Sequence, residues 1–249
     1  TLTAAFTIDT HSLTLFKDGA GDGALANAPP GNIFDYGTVV TLTATPLVSS
    51  TFTTWSGDAT GPSNPVTVSV DGNKVVTATF TMKTYVITPT AGANGAITPD
   101  TPQTLNYGDD KVFTVSPDPH YHILDVMMDG VSVGAVDAYT FTNVTDNHTL
   151  TAAFAIDTHT LVVATTGPGM GWVGNIPAGG VFNYGTVVTL TATPALTATF
   201  TGWSGDANST TNPLPVIMNG NKAITATFII HQLPTTTTLR SNLNPALVG

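Results

Sequence analysis

The chain contains no cysteine and no glutamate, and only six of its 249 residues are lysine or arginine. Without cysteine there is neither a disulfide scaffold nor a thiolate zinc site. Without glutamate, and with so little lysine and arginine, the long charged side chains that solubilise helices and form i,i+4 pairs are missing. A largely helical protein is therefore excluded. Sixteen aspartates set the net charge at −10, which would repel a phosphate backbone, so nucleic acid is excluded as a partner. No run of about 18 apolar residues exists to cross a bilayer, so no membrane insertion is expected of this segment. The opening TLTAAFTIDT lacks the basic and apolar regions of a signal peptide. What is abundant is threonine, 48 residues, with 24 glycines and 17 prolines as punctuation. β-branched residues favour pleated strands.

Internal similarity organises the chain. Residues 11–80 align without a gap on residues 159–228, an offset of 148, with 38 identities over 70 positions. NIFDYGTVVTLTATP from Asn32 matches GVFNYGTVVTLTATP from Gly180, TWSGD from Thr54 matches GWSGD from Gly202, and GNKVVTATF matches GNKAITATF. Between the copies, residues 84–154 follow a related plan, with NYG at Asn106 and a terminal TAAF. We term these modules A1 (11–80), B (84–154) and A2 (159–228). The same offset relates TLTAAF at Thr1 to TLTAAF at Thr149, so residues 1–7 read as the last strand of a preceding module. Residues 232–249 read as a linker and the first strand of a following module.

Alternation places the strands. Val40, Leu42 and Ala44 share one face, as do Val76, Ala78 and Phe80, and likewise Leu150, Ala152 and Phe154. Turn formers end each run: Asp71-Gly72-Asn73, Asp129-Gly130, Asn219-Gly220 and Ser63-Asn64-Pro65. Five to six short strands per module are predicted. A unit of about 70 residues buries limited apolar area, so neighbouring modules are expected to pack on one another.

The series YGTVVTLTATP, F-x-x-W-S-G-D, N-P and GNKxxTATF resembles the divergent InlB B-repeat family of bacterial and archaeal surface proteins. Module B, with NYGDDKVFTVSP, ILDVMMDGVSVGA and YTFTNVTDNHTLTAAF, resembles another branch of those repeats, but has Asp125-Val126 where WSGD would stand. The last residues, TTTTLRSNLNPALVG, resemble the start of a bacterial immunoglobulin-like repeat. The resemblance implies an all-β chain of three tandem β-grasp-like or sandwich-like modules in an elongated rod. It carries no enzymatic activity and no shared ligand residues.

Candidate chemistry is sparse. Trp55 and Trp203 recur at one repeat position and read as core tryptophans, with Asp58 and Asp206 capping backbone N–H groups; the competing reading is an aromatic platform for sugars. Trp172 lies in the glycine-rich GPGMGWVGN, where A1 has Ala24; it reads as a loop residue and is the better exposed-contact candidate. His120 and His122, two apart, would share one strand face and offer two metal positions. His11 and His159 read as structural. For calcium, Asp18 with Asp22 and Asp109 with Asp110 are the candidate ligands, with Asp125 and Asp129 a further pair, yet no D-x-D-x-D-G run exists. Lys74 and Lys222 read as edge-strand lysines rather than isopeptide donors. Asn143, Asn147 and Asn208 head N-x-T/S sequons. No cofactor is required, and no catalytic constellation is recognisable.

The expected function is structural: a stalk, fibre or filament segment at a cell surface, made stiff by linkers at 81–83 and 155–158. Its partners would be neighbouring modules, and other copies if the strand from Thr1 to Phe6 completes an adjacent module. The alternative is an adhesive module binding glycan or surface ligands, with calcium.

Overall fold

The computed structural model describes residues 1–231. Module A1 has seven strands: β1 (Thr10–Asp18), β2 (Gly23–Ala28), β3 (Ile33–Asp35), β4 (Thr38–Pro46), β5 (Ser50–Gly57), β6 (Val66–Val70) and β7 (Lys74–Met82). They form two sheets, β3-β1-β7-β5 and β2-β4-β6. Alternation drives their closure. Val40, Leu42 and Ala44 from one sheet meet Val76, Ala78 and Phe80 from the other, all buried in one core with Leu13, Phe34 and Trp55. The sandwich alternative therefore describes the module, and no helix occurs among the described residues.

The first and last strands, β1 and β7, pair in parallel, in the register Leu13↔Lys74 to Asp18↔Thr79. A side chain pins the start of that pair: the Ser12 N–H donates to Asn73 Oδ1 at 3.0 Å. The device recurs in module B, where the Val86 N–H donates to Asn147 Oδ1. It recurs again in A2, where the Thr160 N–H donates to Asn221 Oδ1.

Module B comprises β8 (Thr84–Ala91), β9 (Gly95–Thr98), β10 (Gln103–Asn106), β11 (Lys111–Pro117), β12 (Tyr121–Met128), β13 (Val131–Gly134), β14 (Ala138–Phe141) and β15 (His148–Ile156). Its sheets are β10-β8-β15-β12-β13 and β14-β11-β9, with β8 and β15 parallel. Module A2 comprises β16 (Thr158–Thr166), β17 (Gly171–Ile176), β18 (Val181–Asn183), β19 (Val187–Pro194), β20 (Ala198–Gly205), β21 (Leu214–Ile217) and β22 (Lys222–Ile230). It repeats the A1 topology, as β18-β16-β22-β20 and β17-β19-β21. Each module thus has seven or eight strands where five or six were expected. Three-residue pieces such as β3 and β18 are too short to show an alternation.

A repeated notch seals one edge of each sandwich. A Cβ on Gly23 would lie 2.4 Å from the Phe80 ring, one on Gly95 2.4 Å from Phe154, and one on Gly171 2.5 Å from Phe228. The final strand's phenylalanine therefore lies on a glycine at the start of the second strand, and no other residue leaves room for it.

Linkers are shorter than expected: Lys83 alone separates β7 from β8, and Asp157 alone separates β15 from β16. Two compact units result. One comprises Thr1–Asp118 with Ile123–Phe154, and the other takes Pro119–His122 together with the chain from Ala155. Residues 1–9 form no strand and are exposed throughout. The expected linker and first strand at 232–249 lie outside the described residues.

Candidate functional site

Phe52 and Trp55 are three apart, a spacing that strict alternation would send to opposite faces of a strand. A bulge between Phe52 and Thr54 inserts one residue into β5 opposite β7, which returns both rings to the core side. Trp55 is buried, its ring 5.2 Å from that of Phe52, and its indole N–H donates to the Ser63 carbonyl at 3.1 Å. Trp203 repeats this, donating to the Thr211 carbonyl at 2.9 Å. Neither indole is open to a ligand. Asp58 Oδ2 accepts the Val75 N–H, and Asp206 Oδ2 accepts the Ala223 N–H, each at 2.7 Å. These carboxylates tie the W-S-G-D turn to the neighbouring strand. Gly57 is required there: its φ is +92°, and a Cβ would lie 2.3 Å from the Val75 carbonyl oxygen.

Trp172 stands on β17, paired with Thr193 of β19, not in a loop as its glycine-rich surroundings suggested. Pairing to β19 supplies the backbone hydrogen bonds that local propensity does not. Its side chain is 61% exposed, with Met170 and Ile176 also exposed nearby in sequence.

The aspartate candidates are dispersed and engaged locally. Asp22 pairs with Lys17 and accepts the Gly23 N–H; the Lys17 ammonium, then that amide, hold its carboxyl below the usual range. Asp109 accepts the Asn106 N–H, and Asp110 accepts the Asn143 N–H. Asp125 accepts the Ser132 hydroxyl. Asp129 meets His148 Nδ1 at 2.7 Å and accepts the Thr149 N–H at 2.7 Å, and the imidazole, then the amide, lower its pKa. Asp18 is the exposed last residue of β1, paired with Thr79 of β7. Among the described residues, no three His or Asp side chains converge on a point that could hold a metal ion. Lys74 pairs with Asp71 at 2.6 Å, with Asp58 at 3.9 Å; the close carboxylate raises the lysine pKa as the lysine lowers that of Asp71.

The structure corrects the reading of His120 and His122 as one strand face. β12 begins at Tyr121, and His120 sits in the preceding turn with φ +70°. Two adjacent tasks follow. The His120 ring stacks on Tyr184, centroids 3.5 Å apart and planes within 8°. His122 Nδ1 meets Asp157 Oδ1 at 3.0 Å. The Asp157 backbone joins them: its N–H donates to the His120 carbonyl and its carbonyl accepts the Tyr184 N–H, both at 2.8 Å. His159 completes the cluster, edge-on to Tyr184 at 5.9 Å.

Sequence reasoning noted the recurring Tyr-Gly but assigned it no task. Tyr36, Tyr107 and Tyr184 donate their N–H groups to the carbonyls of Asp9, Lys83 and Asp157, while the following glycines donate to Val70, Val144 and Met218. The motif therefore fastens each module's start to the residue before its first strand. Tyr-Gly at one position in every module was the available signal.

The divergent InlB B-repeat domain model matches residues 14–84, 85–158 and 161–232. Among solved structures, the chain is similar to the Bacillus anthracis TIE protein at 8% identity and a TM-score of 0.45, over 89% of this chain and 51% of that one. It thus spans about half that protein's length. The major pilin protein (T-13) from Streptococcus pyogenes aligns over 90% of this chain and 98% of its own at 9% identity and TM-score 0.18. The I9–I11 tandem of titin aligns over 91% and 99%, at 7% identity and TM-score 0.17. These likenesses are too distant to carry an argument. No curated protein matches the chain. The three consecutive family matches span most of the sequence and fall on three sandwiches, and the chain belongs to the divergent InlB B-repeat family as a run of tandem copies.

Proposed function

We propose that the chain is a structural segment of a bacterial surface protein, a length of stalk or fibre whose task is reach and rigidity outside the cell. The observation that carries this reading is the junction. A single residue joins successive modules, and its backbone is bonded on both sides: the Lys83 N–H donates to the Ser49 carbonyl, and the Lys83 carbonyl accepts the Tyr107 N–H, each at 2.9 Å. A one-residue linker with both polar groups engaged leaves little freedom for swivelling. Repeats coupled to their nearest neighbours behave as a one-dimensional stack. The role is mechanical rather than catalytic. Small-angle scattering tests it: the radius of gyration should lie well above the roughly 18 Å of a compact globule of this length. Inserting Gly-Ser-Gly-Ser after Lys83 should broaden the distance distribution. A compact value would sink the stalk reading.

Adhesion is a second reading, favoured by the exposed indole of Trp172 on β17, where the equivalent strand of A1 carries Ala24. Aromatic faces of this kind stack on sugars. In a glycan screen, binding that disappears in Trp172→Ala would support adhesion, whereas unchanged binding or none would reject it.

A further inference from the structure

This inference rests on the serial-array reading and concerns how modules recognise one another. Asp9 stands at the same repeat position as Asp157, within Ile-Asp-Thr-His at both places. Its carbonyl accepts the Tyr36 N–H at 2.8 Å, as that of Asp157 accepts Tyr184. His11 stands edge-on to Tyr36 at 5.9 Å and 62°, as His159 does to Tyr184 at 5.9 Å and 63°. The two sites are the same arrangement in duplicate.

Only the second is filled. Tyr184 carries the His120 ring, Asp157 carries His122, and the Asp157 N–H has a carbonyl partner. Tyr36 is 59% exposed, and the Asp9 N–H has no partner among the described residues.

Residues 1–6 identify the missing component. They repeat Thr149 to Phe154 residue for residue, where Leu150 is buried and Phe154 lies on the Gly95 notch. Leu2 and Phe6 are instead fully exposed. The end of an A-type module reads differently, TATF, and its corresponding turn at Ser49 offers no imidazole. A second copy of this chain is a poor donor, because its own 119–122 turn already sits on its own Tyr184.

We propose that Asp9, His11 and Tyr36 form a docking socket for the His-Tyr-His turn of a B-type module whose last strand is supplied by residues 1–6. The first imidazole of that turn stacks on Tyr36, the second pairs with the Asp9 carboxylate, and the turn carbonyl accepts the Asp9 N–H.

The test extends the chain at Thr1 with a further copy of its own residues 84–148, leaving residues 1–6 to complete the added module. Hydrogen exchange and tyrosine nitration, mapped by mass spectrometry, report on each site. In the unextended chain, Tyr36 should nitrate readily and Tyr184 poorly, and His120→Ala should raise Tyr184 to the Tyr36 rate. In the extended chain, residues 1–6 and the Asp9 amide should become protected and Tyr36 should fall to the Tyr184 rate. Replacing the added copy's first turn histidine with alanine should restore Tyr36 reactivity while residues 1–6 stay protected. Unprotected residues 1–6, an unchanged Tyr36 rate, or a His120→Ala variant that leaves Tyr184 unaltered would each overturn the proposal. So would concentration-dependent protection of Tyr36 in the unextended chain, since that would mean a second copy fills the socket. A compact radius of gyration with Tyr36 still protected would remove the stalk and keep the socket.

Discussion

Modules A1 and A2 share topology, core and turn chemistry, but differ on their surfaces. Every buried position of the A1 core has an apolar counterpart in A2, even where the residue changes: Val70 becomes Met218, and Val76 becomes Ile224. Most of the differences between the two copies fall outside the core. Ala24 becomes Trp172, Asp22 becomes Met170 and Asp71 becomes Asn219, which leaves Lys222 without the close ion pair that Lys74 makes. A close-packed interior restricts volume at each position, whereas an exposed strand face restricts little.

That comparison can be broken at its centre. Trp55→Ala and Trp203→Ala should each destabilise their own module by about 3–5 kcal/mol, with matching losses in denaturant unfolding. A much smaller loss at Trp203 would show that the two cores are not equivalent. By contrast, Trp172→Ala, exposed on β17, should change stability by less than about 0.5 kcal/mol.

A smaller effect is expected at Asn64 and Asn212. Each side chain binds one residue through both backbone groups: Asn64 Oδ1 accepts the Ala44 N–H and its Nδ2 donates to the Ala44 carbonyl, and Asn212 treats Ala192 identically. Losing both bonds at a partly buried site should cost about 1–3 kcal/mol. Thermal melts of Asn64→Ala and Asn212→Ala should shift alike, and unequal shifts would break the symmetry.

Module B sharpens the contrast through pH. The Asp129 pKa is lower in the folded state than in an unfolded chain, so the folded state binds the proton less readily. Its stabilising contribution is complete above the ordinary aspartate range near pH 4 and is lost as the pH falls through the folded value. The group is part-exposed, so the effect is modest. Asp129→Asn should reduce the acid sensitivity of module B and leave that of A1 and A2 unchanged; an unaltered acid profile would remove the assigned role.

Much of the fold was legible because repetition compares the chain with itself. The alternation of Val40, Leu42 and Ala44 and of Val76, Ala78 and Phe80 placed the inward faces correctly, since a period of two survives in any sheet. The F-x-x-W spacing was less legible: three residues contradict that period, and only the bulge in β5 reconciles them. His120 was misplaced because a turn with positive φ looks, in sequence, like the first residue of the strand beyond it. Trp172 was misplaced for the converse reason, since a glycine-rich segment becomes a strand when a partner such as β19 pairs with it. The junction chemistry was hidden almost entirely, because it is made by backbone groups of Asp9, Lys83 and Asp157 that any residue carries.

By itself, the sequence determined that the chain is all-β, modular and repeated, because strand alternation, turn residues and internal identity are local properties. Tertiary structure alone decided that first and last strands pair in parallel, that a phenylalanine closes each sandwich on a glycine, and that one junction tyrosine is covered while its twin is bare. Those outcomes depend on which distant groups meet, and contact across about 60 or more residues leaves no signature in any one stretch of chain.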